Sequence, residues 1–169
     1  GHLAGDGLPN GFFNAHGNVF PNHSTSHWGD LYHETHPEYF ALREDGSRCI
    51  WPPNPAGRGY RRKHWHSYID YSSKAALERM ISDHVSWYEG REPEKMKVWK
   101  GIHKTRCPND FYIPLTPNDG LRLSTTPRAK ELIARGTKEH YGRGSEYVGW
   151  FRSEFARAMH ERYPHLEVW

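Results

Sequence analysis

Cysteine is scarce in this sequence, and long apolar runs are missing. The only cysteines, Cys49 and Cys107, form no Cys-x-x-Cys motif, so a zinc ribbon and a thioredoxin-like redox site are excluded. We expect free thiols, with a disulfide as the alternative if the protein is exported. No apolar stretch approaches the roughly 20 residues that a membrane-spanning helix needs, so we expect no membrane partner.

Basic residues are not concentrated in any part of the chain. The 23 Lys and Arg and the 20 Asp and Glu are interspersed, and the net charge is +3 with histidine neutral. Nucleic-acid binding requires clustered cations for phosphate contacts, so we expect no nucleic-acid partner. The densest basic cluster is GYRRKHWH, between Arg58 and His66. Two interpretations of it stay open: a contact with RNA or DNA, and a solvated loop.

Motifs for nucleotide binding and acyl transfer are also missing. We find no phosphate loop, no dinucleotide fingerprint and no Gly-x-Ser-x-Gly, and we expect no cofactor. The N-terminal GHLAGDGLPNGFF has no basic start, long apolar stretch or cleavage site, so it is not a signal peptide. The chain also lacks an initiator Met, and we expect residues 1–169 to be a single segment of a longer protein.

Rings are abundant. The 169 residues include 13 His, 7 Trp and 10 Tyr, together with 12 Pro and 16 Gly. Loop-rich chains with many aromatic and hydrogen-bonding side chains suit carbohydrate sites, where the faces of sugars stack on rings. They suit protein interaction surfaces equally well, so composition alone leaves both open.

The hydrophobic pattern predicts alternating strands and helices. The predicted elements are a β-hairpin over residues 39–51, helices over 74–89, 126–135 and 146–163, and strands over 111–115 and 165–169. Strand, helix, strand order is typical of parallel βαβ units. A whole barrel takes roughly 200 residues or more. The sequence therefore predicts an α/β fold, a partial (β/α)8 (TIM-type) barrel with parallel strands, long loops and one β-hairpin, completed by the remainder of a longer chain.

Two stretches carry a resemblance to a known family. Tyr32, then HPEYFAL over residues 36–42, then Gly46 and Arg48, resembles the HPEYFAL…GKR stretch of a bacterial domain-of-unknown-function family. LTPNDG, over residues 115–120, resembles the strand-end Asn-Asp-Gly of that family, although its usual following cysteines are absent here. The family is similar to α-glucuronidase-type glycoside hydrolase barrels. The resemblance therefore implies a barrel and a carbohydrate substrate, and we expect an extracytoplasmic location, periplasmic or secreted.

Asp119 is the candidate catalytic residue, since it follows the apolar strand FYIPL. Barrel enzymes carry their catalytic groups at the C-terminal ends of strands, and glycosidases need a carboxyl group that protonates the leaving oxygen. We predict that Asp119 is a general acid or positions the substrate, and that Asn118 binds a sugar hydroxyl. Pro-Asn-Asp-Gly as a plain turn is the alternative. We expect the second carboxylate outside this chain.

Four histidines lie close together in NHSTSHWGDLYHETH. Metal binding would require rings that converge, and the zinc-enzyme spacing with its glutamate is missing, so we predict no metal site. We predict instead that His23 and His27 lie in the substrate cleft and bind a sugar hydroxyl or a uronate. His36 is expected to belong to the structural turn of the HPEYF motif.

Aromatic residues near predicted loops and strand ends are the candidate stacking platforms. They are Trp28, Tyr32, Trp65 and Tyr68. Arg61, with Arg62 and Lys63, offers cations for an acidic sugar, against the alternative of a solvated loop. The sequence thus predicts a glycoside hydrolase-like protein that hydrolyses or binds polysaccharides or oligosaccharides, with uronic acid among the candidate sugars. A non-catalytic carbohydrate-binding domain and a metal-dependent enzyme built on the histidines are the alternatives.

Overall fold

A computed structural model describes the protein over most of its middle and C-terminal parts. The described residues are 28–89, 112–113, 121–137, 142, 144–165 and 167–168. Within them the helices are α1 (Trp28–Tyr32), α2 (Lys74–Tyr88), α3 (Pro127–Arg135) and α4 (Ser145–Arg162), with short 3-10 turns at Pro37–Tyr39 and Gly59–Arg62. The strands are β1 (Ile50–Trp51), β2 (His66–Ser67), β3 (Tyr112–Ile113) and β4 (Glu167–Val168). No helix of this described part is long and apolar enough to cross a lipid bilayer.

The strands form two separate pairs. β1 and β2 are antiparallel, with Trp51 opposite His66, and β3 and β4 are parallel. Isolated bridges add Phe40 opposite Ile69 and Leu42 opposite Arg48. Each named strand is two residues long.

The prediction of a partial (β/α)8 barrel is therefore wrong. A barrel requires a continuous sheet of parallel strands, whereas the described residues form four helices, one antiparallel pair and one short parallel pair. The strands at residues 112–113 and 167–168 fall where strands were predicted, but they pair only with each other. Each named strand is too short to carry an extended sheet, and most of the buried apolar side chains of the described residues lie on the helices instead.

The three longer helices lie where the apolar periodicity predicts them. α2 begins after Ser73, whose hydroxyl accepts a hydrogen bond from the backbone N–H of Ala76 at 3.1 Å. α3 begins at Pro127, and its cap Thr126 accepts from the N–H of Ala129. α4 packs against both helices and buries one face completely. The largest fully buried side chains are Trp28, Tyr147, Phe40, Phe151, Phe155, Ile69, Met80 and Met159.

A buried carboxylate, Asp70, ties these elements together. Its side chain is 2 % exposed and accepts hydrogen bonds from Ser72, which precedes α2, and from Ser124 and Thr126, which precede α3. It also accepts from the Tyr147 hydroxyl of α4 at 3.2 Å. Burial, with the nearby Asp70 charge, raises the pKa of Tyr147 well above its ordinary value. This Asp70 network holds the residues before two helices against a third helix.

Candidate functional site

Three of the four predicted stacking platforms are buried: Trp28 and Tyr32 lie in the main core, and Tyr68, 8 % exposed, lies in a smaller buried cluster. Trp28 is 0 % and Tyr32 is 7 % exposed. Their rings meet edge to face with centroids 5.0 Å apart, and both pack on Tyr39 of the HPEYF motif. Because a sugar stacks only on a ring that it can reach, their burial argues against the binding role that the sequence suggested for them.

The HPEYF motif is structural, as predicted for His36. The His36 ring stacks on Tyr39 at 4.5 Å, and its Nδ1 lies 2.9 Å from Oε1 of Glu38. Phe40 is fully buried and forms a bridge with Ile69. The motif therefore anchors the residues after α1 to the core.

A polar triad of the buried Tyr32 and Asp83 with the half-buried Arg79 fastens α1 to α2. The Tyr32 hydroxyl donates to Asp83 and accepts from Nε of Arg79 at 2.9 Å, while Nη2 of Arg79 lies 2.7 Å from the same carboxylate. Burial raises the pKa of Tyr32, and the Asp83 carboxylate raises it further. Burial also raises the pKa of Asp83, against the opposing effect of its two hydrogen-bond donors. The triad fixes the position of the Tyr32 ring.

Trp65, the remaining predicted platform, faces α1. Its ring stacks on His33 with centroids 3.8 Å apart, and both side chains are half-buried. α1 approaches closely here because residue 29 is glycine. A Cβ atom at that position would lie 2.9 Å from Cβ of Trp65 and 3.1 Å from the hydroxyl of Ser67.

Asp30, to which the sequence gave no role, fixes the residues before β2. One oxygen of its carboxylate accepts from the backbone N–H of Trp65 at 2.8 Å, and the other lies 2.9 Å from Nδ1 of His64. A carboxylate at this distance from Nδ1 sets the tautomer and orientation of an imidazole. The contacts orient both rings against α1.

The opposite side of β2 carries a second set of rings. Successive side chains of a strand alternate between its two sides, so His66 and Tyr68 point away from Ser67 and α1. His66 lies across from Trp51 with ring centroids 5.6 Å apart, and Tyr68 lies 5.0 Å from His66 and 6.0 Å from Trp51. We call Trp51, His66 and Tyr68 the aromatic face; Trp51 and His66 are its accessible rings, and Tyr68, 8 % exposed, is its buried member. Trp51 is 36 % exposed, so its indole can be reached from solvent.

Two guanidinium groups border the aromatic face. Nη2 of Arg61 lies 3.3 Å from Nε2 of His66, and Cζ of Arg122 lies 5.8 Å from the centre of the Tyr68 ring. Both arginines are exposed. Burial lowers the pKa of His66, and the charges of Arg61 and Arg122 lower it further. The result is a surface that presents a flat indole, a neutral imidazole at pH 7 and two fixed cations.

The remaining predicted site residues, His23, His27, Asn118 and Asp119, lie outside the described residues. Within the described ranges, no group of three or more His, Cys, Asp and Glu side chains is arranged to hold a metal ion. His33 and His36 use their rings separately, one against Trp65 and the other against Tyr39.

Comparison of the chain with protein-family models, curated proteins and solved structures found no match. The resemblance to the HPEYFAL family therefore stays a prediction. The functional argument depends on the side chains of the aromatic face and its bordering arginines.

The sequence named Tyr68 and Arg61 as candidates but missed the other members of this surface. Trp51 and His66 are 15 positions apart, and they meet only because β1 and β2 pair across the connecting loop. A partial signal was present in the order of the residues, since His66-Ser67-Tyr68 places rings at alternate positions.

Proposed function

We propose that the protein is a glycoside hydrolase-like, carbohydrate-active protein whose aromatic face binds an acidic sugar. The observation that supports this proposal is the exposed indole of Trp51 beside His66, bordered by the guanidinium groups of Arg61 and Arg122. The apolar face of a pyranose ring stacks on such an indole, and a uronate carboxylate suits the cations.

Geometry and charge assign different tasks to these groups. An indole is a large, rigid apolar surface that loses little conformational entropy on binding. Arginine presents a planar fork of donors that matches a carboxylate. An exposed ion pair contributes at most about 1 kcal/mol, so stacking on Trp51 must supply much of the binding free energy. The arginines then discriminate acidic from neutral sugars.

Binding is tested by isothermal titration calorimetry with a uronic-acid trisaccharide, with the matching neutral hexose trisaccharide as the ligand control. We expect the acidic sugar to bind more tightly, Trp51→Ala to abolish binding of both sugars, and Arg61→Gln to remove the preference for the acid. Arg128→Gln is the matched control, because Arg128 is another exposed arginine beside an aromatic ring, with its Cζ 5.5 Å from the centre of the Trp150 indole.

Three results would contradict the proposal. They are no binding of either sugar, equal effects of Arg61→Gln and Arg128→Gln on the preference for the acidic sugar, and sugar binding that survives Trp51→Ala. Retention of a single-stranded oligonucleotide in place of the sugars, with a steep salt dependence, would indicate the nucleic-acid alternative.

Hydrolysis is a separate part of the proposal and depends on Asp119 as the general acid. Asp119→Asn in the full-length protein removes the proton that the leaving oxygen requires, so hydrolysis of aryl glycosides and glucuronides should collapse while sugar binding survives. If the full-length protein binds sugar but hydrolyses none of these substrates before any substitution, the non-catalytic binding domain is the correct reading.

A further inference from the structure

The contact between Arg61 and His66 depends on the protonation state of the imidazole. A guanidinium group has five N–H donors and no acceptor. Nη2 of Arg61, 3.3 Å from Nε2 of His66, can therefore form a hydrogen bond only when that nitrogen is unprotonated. The contact therefore requires a neutral His66 with its proton on Nδ1, and in that state the imidazole holds Arg61 beside the aromatic face.

The surroundings of His66 oppose its protonation. Arg61 faces the ring from the 3-10 turn, and Arg122 approaches from the residues before α3. Among the described residues, the rings that face it are the indole of Trp51 on β1 and the phenol of Tyr68. Burial lowers the pKa of His66 below its ordinary value of 6.5, and the two charges of the described residues that act on the ring, both positive, lower it further. A bound anion would reverse this balance.

We propose that binding of an acidic sugar at the aromatic face is coupled to uptake of one proton by His66. The inference rests on the proposed function. A uronate carboxylate placed between the two arginines neutralises their charge and offers an acceptor, so the imidazolium form becomes the better partner. Protonated His66 then donates from Nε2 to the carboxylate, and Arg61 exchanges its bond with His66 for one with the ligand.

The sign of the pH dependence follows from linkage. The complex binds one more proton than the free protein at pH values between the pKa of His66 in the free state and its higher pKa in the complex. Affinity therefore rises as pH falls through that window and levels off on both sides. The carboxylate of a uronic acid stays ionised throughout, since ordinary carboxyl groups titrate near pH 4. One linked proton changes the dissociation constant by up to about tenfold per pH unit.

The test is calorimetric titration of the uronic-acid trisaccharide from pH 5 to pH 8, in buffers of different ionisation enthalpy, so that the heat reports the protons taken up. We expect tighter binding at low pH with uptake of up to one proton. In His66→Gln, affinity should be independent of pH. The matched control is His160→Gln on the exposed surface of α4, which should keep the wild-type profile.

Titration of the histidine ring protons by nuclear magnetic resonance, without ligand, gives a second readout. Arg61→Gln should raise the pKa of His66, because it removes one of the two charges that oppose protonation of the ring. Three results would each overturn this inference and leave the proposed function standing. They are sugar binding that is independent of pH, a pH dependence of affinity that survives His66→Gln, and a pKa of His66 that is unchanged in Arg61→Gln. Absence of sugar binding at every pH would overturn the proposed function together with it.

Discussion

Replacement of Asp70 should destabilise the protein more than replacement of any surface carboxylate. One carboxylate oxygen accepts from the backbone N–H and hydroxyl of Ser72 and from Tyr147, and the other accepts from Ser124 and Thr126. Asp70→Ala removes all five acceptor contacts and leaves a buried backbone N–H and a buried phenol without this partner. Breaking such a network by removing one member costs about 3–5 kcal/mol.

Asp70→Asn should lower the free energy of unfolding less than Asp70→Ala does. The amide oxygen can still accept the hydrogen bonds of Ser72, while the NH₂ group turns toward the hydroxyls of Ser124 and Thr126. Those hydroxyls can rotate to accept, but the charge that strengthened the bonds is lost, and we expect a cost of about 1.5–3 kcal/mol. A domain of this size is stable by about 5–15 kcal/mol, so both changes should be easy to measure.

The assay is urea unfolding followed by circular dichroism, with the free energy of unfolding compared at constant m value. Asp45 supplies a matched control, because it accepts from the backbone N–H and hydroxyl of Ser47 in the same local pattern, but on the surface. Asp45→Ala should change stability little. Equal losses for Asp70→Ala and Asp45→Ala would refute the reasoning that burial and the long-range partners make the Asp70 network costly to break.

Three further predictions follow from the buried contacts. Tyr32→Phe removes one of the two hydrogen-bond donors of the buried Asp83 carboxylate and leaves only Arg79. It should lower the free energy of unfolding by about 1–3 kcal/mol, measured in urea, and an unchanged free energy of unfolding would contradict the proposed role of the triad. Gly29→Ala should cost about 1–3 kcal/mol, since the new Cβ meets Trp65, and an unaltered melting temperature would argue against that close approach. Because burial raises the pKa of the Cys49 thiol, iodoacetamide should label it slowly at pH 8 until urea is added, as followed by mass spectrometry; rapid labelling of the folded protein would contradict its burial.

The helices were predictable because their signals are local. α2 repeats apolar residues on one face, and α3 begins with Thr126-Pro127, which suits a cap followed by the first helical position. The strands were harder, since a two-residue strand carries too little periodicity to be recognised. The barrel was inferred from the order of elements alone, and that order does not determine which strands pair.

The site was only partly predictable for a similar reason. Counting rings does not reveal which of them are buried: Trp28 and Trp51 are the same residue type, yet one is fully buried and the other is 36 % exposed. Arg61 could be named from the sequence, because cations next to rings suit an acidic sugar. Its contact with His66 depends on how the residues between β1 and β2 fold back, and no spacing rule encodes that geometry.

The most direct measurement of the central claim is a titration of ¹⁵N-labelled protein with the uronic-acid trisaccharide, in which the indole N–H signals of the seven tryptophans are followed. If the aromatic face binds acidic sugars, the Trp51 signal should shift with saturation, while the signal of the fully buried Trp28 should stay in place. Arg61→Gln should reduce the Trp51 shift with the acidic sugar and not with its neutral counterpart. A saturating shift at other tryptophans, with none at Trp51, would contradict the account.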